Sequence, residues 1–174
     1  FQNPHVLRYV PEVFKTRDVC LVAVDKFGAL LAHVPPKLRD RELCLIAAKS
    51  MPDALDYVPD NFLDEDFILE VMACDGSALG KISENLKTEK VCAAAVANFA
   101  CAIQYVPEHL LTPEMCFYAV SRNGYALKFV PEEMKTCELC AAAVDNSHLA
   151  MKYIPDAIFD AVMTQRNPQS SMTM

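Results

Sequence analysis

The chain has 174 residues, 53% hydrophobic and 22% charged, which is enough apolar material for one sizeable core. Sixteen Lys and Arg against 23 Asp and Glu give a net charge of −7, so nothing pulls the chain toward phosphate backbones and nucleic acid is not an expected partner. No apolar run approaches the ~20 residues that cross a bilayer and no signal-peptide pattern stands at Phe1, so a membrane is not expected as a partner either.

Residues 1–9, FQNPHVLRY, read as the tail of a repeat unit, and a start on Phe rather than Met leads us to expect a piece cut from a longer chain. From Val10 onward Val-Pro-acidic returns every 24 residues: Val10-Pro11-Glu12, Val58-Pro59-Asp60, Val106-Pro107-Glu108, Val130-Pro131-Glu132 and Ile154-Pro155-Asp156. Val34-Pro35-Pro36 and Ile82-Ser83-Glu84 are weaker copies in the same register. Six tandem units therefore fill 10–153.

Each unit opens on a proline turn, in which Phe14, Leu38, Phe62, Leu86, Leu110 and Met134 are expected to point inward. Position seven is Thr16, Asp40, Asp64, Thr88, Thr112 or Thr136, all side chains that accept an orphan N–H as helix N-caps. Two positions later five of six residues are acidic, which suits the positive end of a helix dipole. A helix of roughly ten residues is expected to follow, with its apolar stripe at i, i+1, i+4 and i+5, as in Val19, Cys20, Ala23 and Val24. Gly28, Gly76, Gly124 and Pro52 read as helix breakers. A second short segment then carries a small residue, Leu and an aromatic, as in Ala54, Leu55 and Tyr57, and is short enough to be partly 3₁₀.

No unit of this size buries its own apolar side, so the expected fold is an all-α solenoid, a superhelical stack of 24-residue repeats. Leu-x-x-Leu-x-Leu and Asn ladders, the marks of a β-bearing leucine-rich repeat, are not found. After the sixth unit, 154–167 reads as a capping helix with Ile158, Phe159, Val162 and Met163 on one face. Residues 168–174 are expected to be a flexible tail. The incomplete N-terminal unit should cap poorly, so end-to-end self-association or docking of further repeats is expected there.

Cys20, Cys44, Cys92, Cys116 and Cys140 share position eleven, where the third unit has Ile68. A column of five Cys and one Ile reads as a small apolar packing site of reduced thiols. Neighbouring units should lie about 10 Å apart, too far for a disulfide, and the reading favours a reducing cytoplasm. Cys137 stands outside the column in a first helical turn, which makes it the candidate reactive thiol. A redox or metal module at Cys137 and Cys140 is a weaker alternative, since no strand–turn–helix context precedes the pair and the four His form no ladder. No phosphate loop, nucleophile elbow or metalloprotease motif is present, so neither catalysis nor a cofactor is expected of this segment. Tyr57, Tyr105, Phe129 and Tyr153 form a column that we assign to the core edge. Val22, Ile46 and Tyr118 at position thirteen are either buried or offered to a partner.

The stretch ALKFVPEEMKTCELCAAAV, from Ala126 to Val144, resembles a family of short helical repeats with the pattern Ala-Leu-x-Tyr-Val-Pro-Glu-x-Leu-x-Thr-x-Glu-Leu-Cys. That family is a domain of unknown function, found in bacterial proteins that include secreted effectors of pathogens. The unit length is also similar to that of leucine-rich repeat variants, which alternate α and 3₁₀ helices. The resemblance covers nearly the whole chain and supplies no catalytic residues. It implies a non-enzymatic scaffold that binds a protein partner, as the C-terminal part of a larger bacterial protein acting in the bacterial or host cytoplasm. The alternative is a targeting or substrate-recruiting module for an upstream enzyme or toxin domain.

Overall fold

The computed structural model describes residues 4–166, and these form an all-α solenoid with no strand among them. Six α-helices of ten residues recur at 24-residue intervals: α1 (Arg17–Lys26), α2 (Arg41–Ser50), α3 (Glu65–Cys74), α4 (Glu89–Asn98), α5 (Pro113–Arg122) and α6 (Cys137–Asn146). Each is followed by a 3₁₀ segment of five or six residues, such as Gly28–His33, and the first five of these lead into a three-residue 3₁₀ turn, such as Pro36–Leu38. The α-helices stack on one another along the chain and the long 3₁₀ segments do the same, giving two layers with the core between them. The short second segment is 3₁₀ throughout, not partly so. Runs of six residues are unusual for this helix, and here they are held by stacking on both neighbours, with Ala54, Ala78, Ala102, Ala126 and Ala150 fully buried.

Local chemistry sets the element boundaries. Thr16, Asp40, Asp64, Thr88, Thr112 and Thr136 all have extended backbone, and each side chain accepts the N–H three residues on. The Asp caps are the shorter, at 2.8 Å from Leu43 and Phe67 N–H, against 3.2–3.4 Å for the Thr caps. Val34, Val58, Val106 and Val130, each before a proline, are extended and end the long 3₁₀ segment. Where Ser83 replaces that proline, the preceding segment Gly76–Gly80 is one residue shorter and Lys81 turns helical instead.

The carbonyls at the end of the long 3₁₀ segments find a second set of partners. Lys15, Arg39, Lys87 and Lys135 reach forward 18 residues to the carbonyls of His33, Tyr57, Tyr105 and Tyr153, at 2.8–3.1 Å. A cation is well placed on orphan C-terminal carbonyls. This explains how Lys135 can be buried while paired to Glu132. Leu63 and Leu111 hold this position in the other two units.

Two sequence expectations need correction. Gly28, Gly76 and Gly124 do not break the helices: in every unit the residue before that position is extended, whether Gly, Pro, Ala or His follows, and no glycine has positive φ. The glycines are needed for space. A Cβ on them would sit 2.1, 2.2 or 2.3 Å from the backbone oxygen of Ala47, Ala95 or Ala143 in the next unit. Phe14 does not point inward but is 67% exposed, whereas Leu38, Phe62, Leu86, Leu110 and Met134 pack against the core. Among the described residues no α-helix precedes α1 to cover Phe14.

At the C-terminal end α7 (Asp156–Arg166) packs on α6, with Val162 buried, Ile158 and Phe159 against the core and Arg166 paired to Asp145 at 2.7 Å. At the other end Pro4–Tyr9 is 3₁₀ and packs on Gly28–His33, with Leu7 buried. The tail expected over 168–174 lies outside the described residues.

Candidate interaction surface

The surface over the starts of the α-helices is built by contacts between consecutive units. Arg17, the first residue of α1, bonds Asp40, the cap of α2, at 2.6 Å and also Glu42 at 2.6 Å. Arg41, first in α2, holds Asp64, the cap of α3, with two bonds of 3.0 Å. In the next step the polarity reverses: Thr88, the cap of α4, donates to Glu65, first in α3, at 2.7 Å. Arg therefore precedes an Asp cap and Glu a Thr cap. The Arg17 guanidinium holds the Asp40 carboxyl below its usual range, and the Phe67 N–H, with Arg41, does the same for Asp64. Lys49–Glu70 at 2.6 Å and Lys90–Glu65 at 3.6 Å add two further pairs, while Asp18 and Asp66 have none among the described residues.

After Lys90 no cation stands at the start of an α-helix. First helical positions are now Glu89, Pro113 and Cys137, and among the described residues Glu89, Glu114 and Glu138 have no ion-pair partner. The same half of the surface is open. A groove of about 690 Å³ between α5 and α6 is lined by residues that include Glu114, Phe117, Tyr118, Met134, Glu138 and Leu139. A second, of about 280 Å³ between α4 and α5, shares Glu114 and Tyr118 with it and adds Glu89, Ala93 and Ala97. Phe117 and Tyr118 are 43% and 42% exposed, and Arg122 lies over the Tyr118 ring at 5.8 Å. Of the other position-thirteen residues, Val22 is exposed and Ile46 is half-buried against the core.

The thiols separate by environment. Cys20, Cys44, Cys92, Cys116 and Cys140 have no exposed surface, and all eight cysteines are free. Burial pushes Cys20 up and takes Cys44, Cys92, Cys116 and Cys140 to about 11, so these four are thiols, not thiolates, near neutrality. Cys137 is half-buried against the core, and the exposed thiol is Cys74, the last residue of α3. Cys101 is buried, and its sulfur lies 3.2 Å from the Asn123 amide nitrogen. Among the described residues no three His, Cys, Asp or Glu converge as a metal site, and no helix is long and apolar enough to cross a membrane. In the aromatic column Tyr57 and Tyr105 are partly exposed, while Tyr153 meets Tyr125 edge-on at 5.6 Å.

One signal passed over in the sequence is a doubled period. Gly28, Gly76 and Gly124 are 48 residues apart, not 24, and so are Asn98 and Asn146. Asn98 ends α4 and bonds back to Gly76 N–H and the Ala73 carbonyl of the unit before; Asn146 does the same to Gly124 and Ser121. Units therefore lock in pairs. The family model for a domain of unknown function, DUF4116, matches residues 16–63, 64–111 and 89–135. The chain belongs to this family. A DUF4116 match spans two units, and the first two begin on the caps Thr16 and Asp64, in phase with the glycine pairs. No curated protein and no solved structure matches the chain.

Proposed function

We propose that this tandem helical-repeat module is a non-enzymatic scaffold that binds another protein in a reducing compartment, as part of a longer bacterial protein. The observation that carries the reading is the α-helical surface from α4 to α6. There a regularly bonded stack leaves Phe117 and Tyr118 exposed beside an open groove, where other units place alanine, aliphatic residues or, in one case, Glu70. Aromatic side chains on a preformed concave surface are the usual anchors of protein association. The eight free cysteines, five of them buried in one column, suit a reducing environment.

A photo-crosslinking amino acid placed singly at Ala93, Ser121 and Leu149 samples two adjacent helices and the 3₁₀ side. The reading expects discrete crosslinked polypeptides from at least one face in lysate of the source organism. Crosslinks from none of the three would overturn it.

A further inference from the structure

Resting on the scaffold reading, we infer that the groove running from α4 to α6 takes an extended polypeptide segment with Arg or Lys at every third position and apolar residues between. The grooves supply the shape: two adjoining hollows of about 280 and 690 Å³ that share Glu114 and Tyr118. Their charged lining residues are Glu89, Glu114 and Glu138, all carboxylates.

A helix N-terminus accounts for an acid at such positions. It does not account for the loss of cations, because Glu42 and Glu65 stand at helix starts too and have Arg17 and Lys90 beside them. Asp18 and Asp66 have no ion-pair partner among the described residues either; what sets Glu89, Glu114 and Glu138 apart is that they line the two adjoining hollows, with no cation among the lining residues. Arg122, the cation over Tyr118, sits at the far end of α5 from Glu114.

The three carboxylates come from three successive units. Stacked helices are about 10 Å apart, and three residues of a chain in the extended polyproline-II conformation make one turn, span roughly 9 Å and return the side chain to the same face. Cations at i, i+3 and i+6 therefore match Glu89, Glu114 and Glu138 in turn. Apolar side chains between them meet Tyr118, Phe117 and Leu139. An acidic segment would meet repulsion at all three steps.

The probe is a fluorescein-labelled twelve-residue peptide of four Arg-Leu-Ser repeats, with Glu-Leu-Ser as its charge-reversed control, titrated by fluorescence anisotropy at low and moderate salt. The basic peptide should bind, weaken with salt, and lose about tenfold in affinity against Glu89→Gln/Glu114→Gln/Glu138→Gln, a factor set by three exposed ion pairs. Tyr118→Ala should weaken it at both salt concentrations. Asp60→Asn/Glu108→Gln/Glu133→Gln changes the net charge equally away from the groove and should bind as wild type; circular dichroism checks the fold of every variant. Equal binding of the two peptides, an unaffected groove variant, or an equal loss in the off-groove variant would each overturn the inference. Crosslinks confined to Leu149 with no peptide binding would remove this groove while leaving the scaffold reading standing.

Discussion

Asn98 holds Gly76 in place from the next unit: its Oδ1 accepts the Gly76 N–H at 2.8 Å while its Nδ2 donates to the Ala73 carbonyl at 3.0 Å. One amide thus satisfies both sides of the break between α3 and the 3₁₀ segment that follows. The glycine lets the Ala95 carbonyl of α4 come close enough to lock the pair.

Asn98→Ala leaves a buried N–H and a helix-end carbonyl without partners, and should cost about 1–3 kcal/mol in urea unfolding. Asn98→Asp keeps the acceptor for Gly76 but sets a carboxylate against a carbonyl, so it should not rescue. Asn98→Ser should fall between, since Ser50 makes the corresponding bond to Asp25 O at 3.1 Å. Equal stability of Asn98→Ala and wild type would show that the staple adds nothing.

Gly76→Ala puts a Cβ 2.2 Å from a backbone oxygen that cannot rotate away. Moving α4 to make room should cost about 1–3 kcal/mol. Ala100, at the same position one unit later, already carries a Cβ. Ala100→Gly should cost about 1 kcal/mol or less, through chain entropy. Matching melting temperatures for the two variants would sink the pairing of units.

The 24-residue period, the caps and the Cys column are legible because each is one residue type recurring in one register. The 48-residue period is less so: it shows as an alternation, glycine in odd units and Asn98 or Asn146 in even ones, inside a stronger repeat. The Lys15, Lys87 and Lys135 bonds to carbonyls 18 residues on could not be read, because a lysine in a polar turn looks solvated until its carbonyl is placed. Phe14 misled because the pattern of a repeat says nothing of which copy lacks a covering neighbour. The acidic lining of the grooves depends on what is absent, a cation beside Glu89, Glu114 and Glu138, and that matters only once α4 to α6 are seen to share a surface.

The pair Arg17–Asp40 ties one helix start to the next cap. Asp40→Ala should cost about 1 kcal/mol from the lost cap, and a double-mutant cycle with Arg17→Ala should return a further coupling of about 0.2–1 kcal/mol. The Asp40 pKa is lowered in the folded state, so its contribution is full above the unfolded value of about 4 and is lost as pH falls through the folded one. Wild type should therefore lose stability below about pH 4 more steeply than Asp40→Asn, which keeps the acceptor and does not titrate. Parallel acid limbs for the two proteins would contradict the pairing.

Thiol labelling of the native protein should follow exposure. Cys74 should react first with iodoacetamide and Cys137 after it, while Cys20, Cys44, Cys92, Cys116 and Cys140 wait for unfolding. Mass-spectrometric mapping of modified peptides over time gives the order directly. Labelling of Cys92 as fast as Cys74 would mean that the column is not core.

The same column should make the protein sensitive to alkali. Cys44, Cys92, Cys116 and Cys140 are pushed up to about 11 in the folded state, against about 8.5–9 for an unfolded thiol. Between these values the unfolded chain has released protons that the folded chain still binds, so stability falls as pH rises. It is intact below about pH 8.5, and by about pH 10.5 each such thiol should have removed up to ~2 kcal/mol. Cys92→Ala isolates one of them. At pH 7.5 this variant should be about 1 kcal/mol less stable than wild type, for the cavity it leaves. Near pH 10.5 it should be level or more stable, because it no longer has that thiol to ionise. Urea unfolding midpoints at the two pH values give both terms, and the prediction is that the two stability curves cross. Curves that stay parallel from pH 7.5 to 10.5 would mean that Cys92 titrates alike in the folded and unfolded chains, which a thiol with no exposed surface should not do.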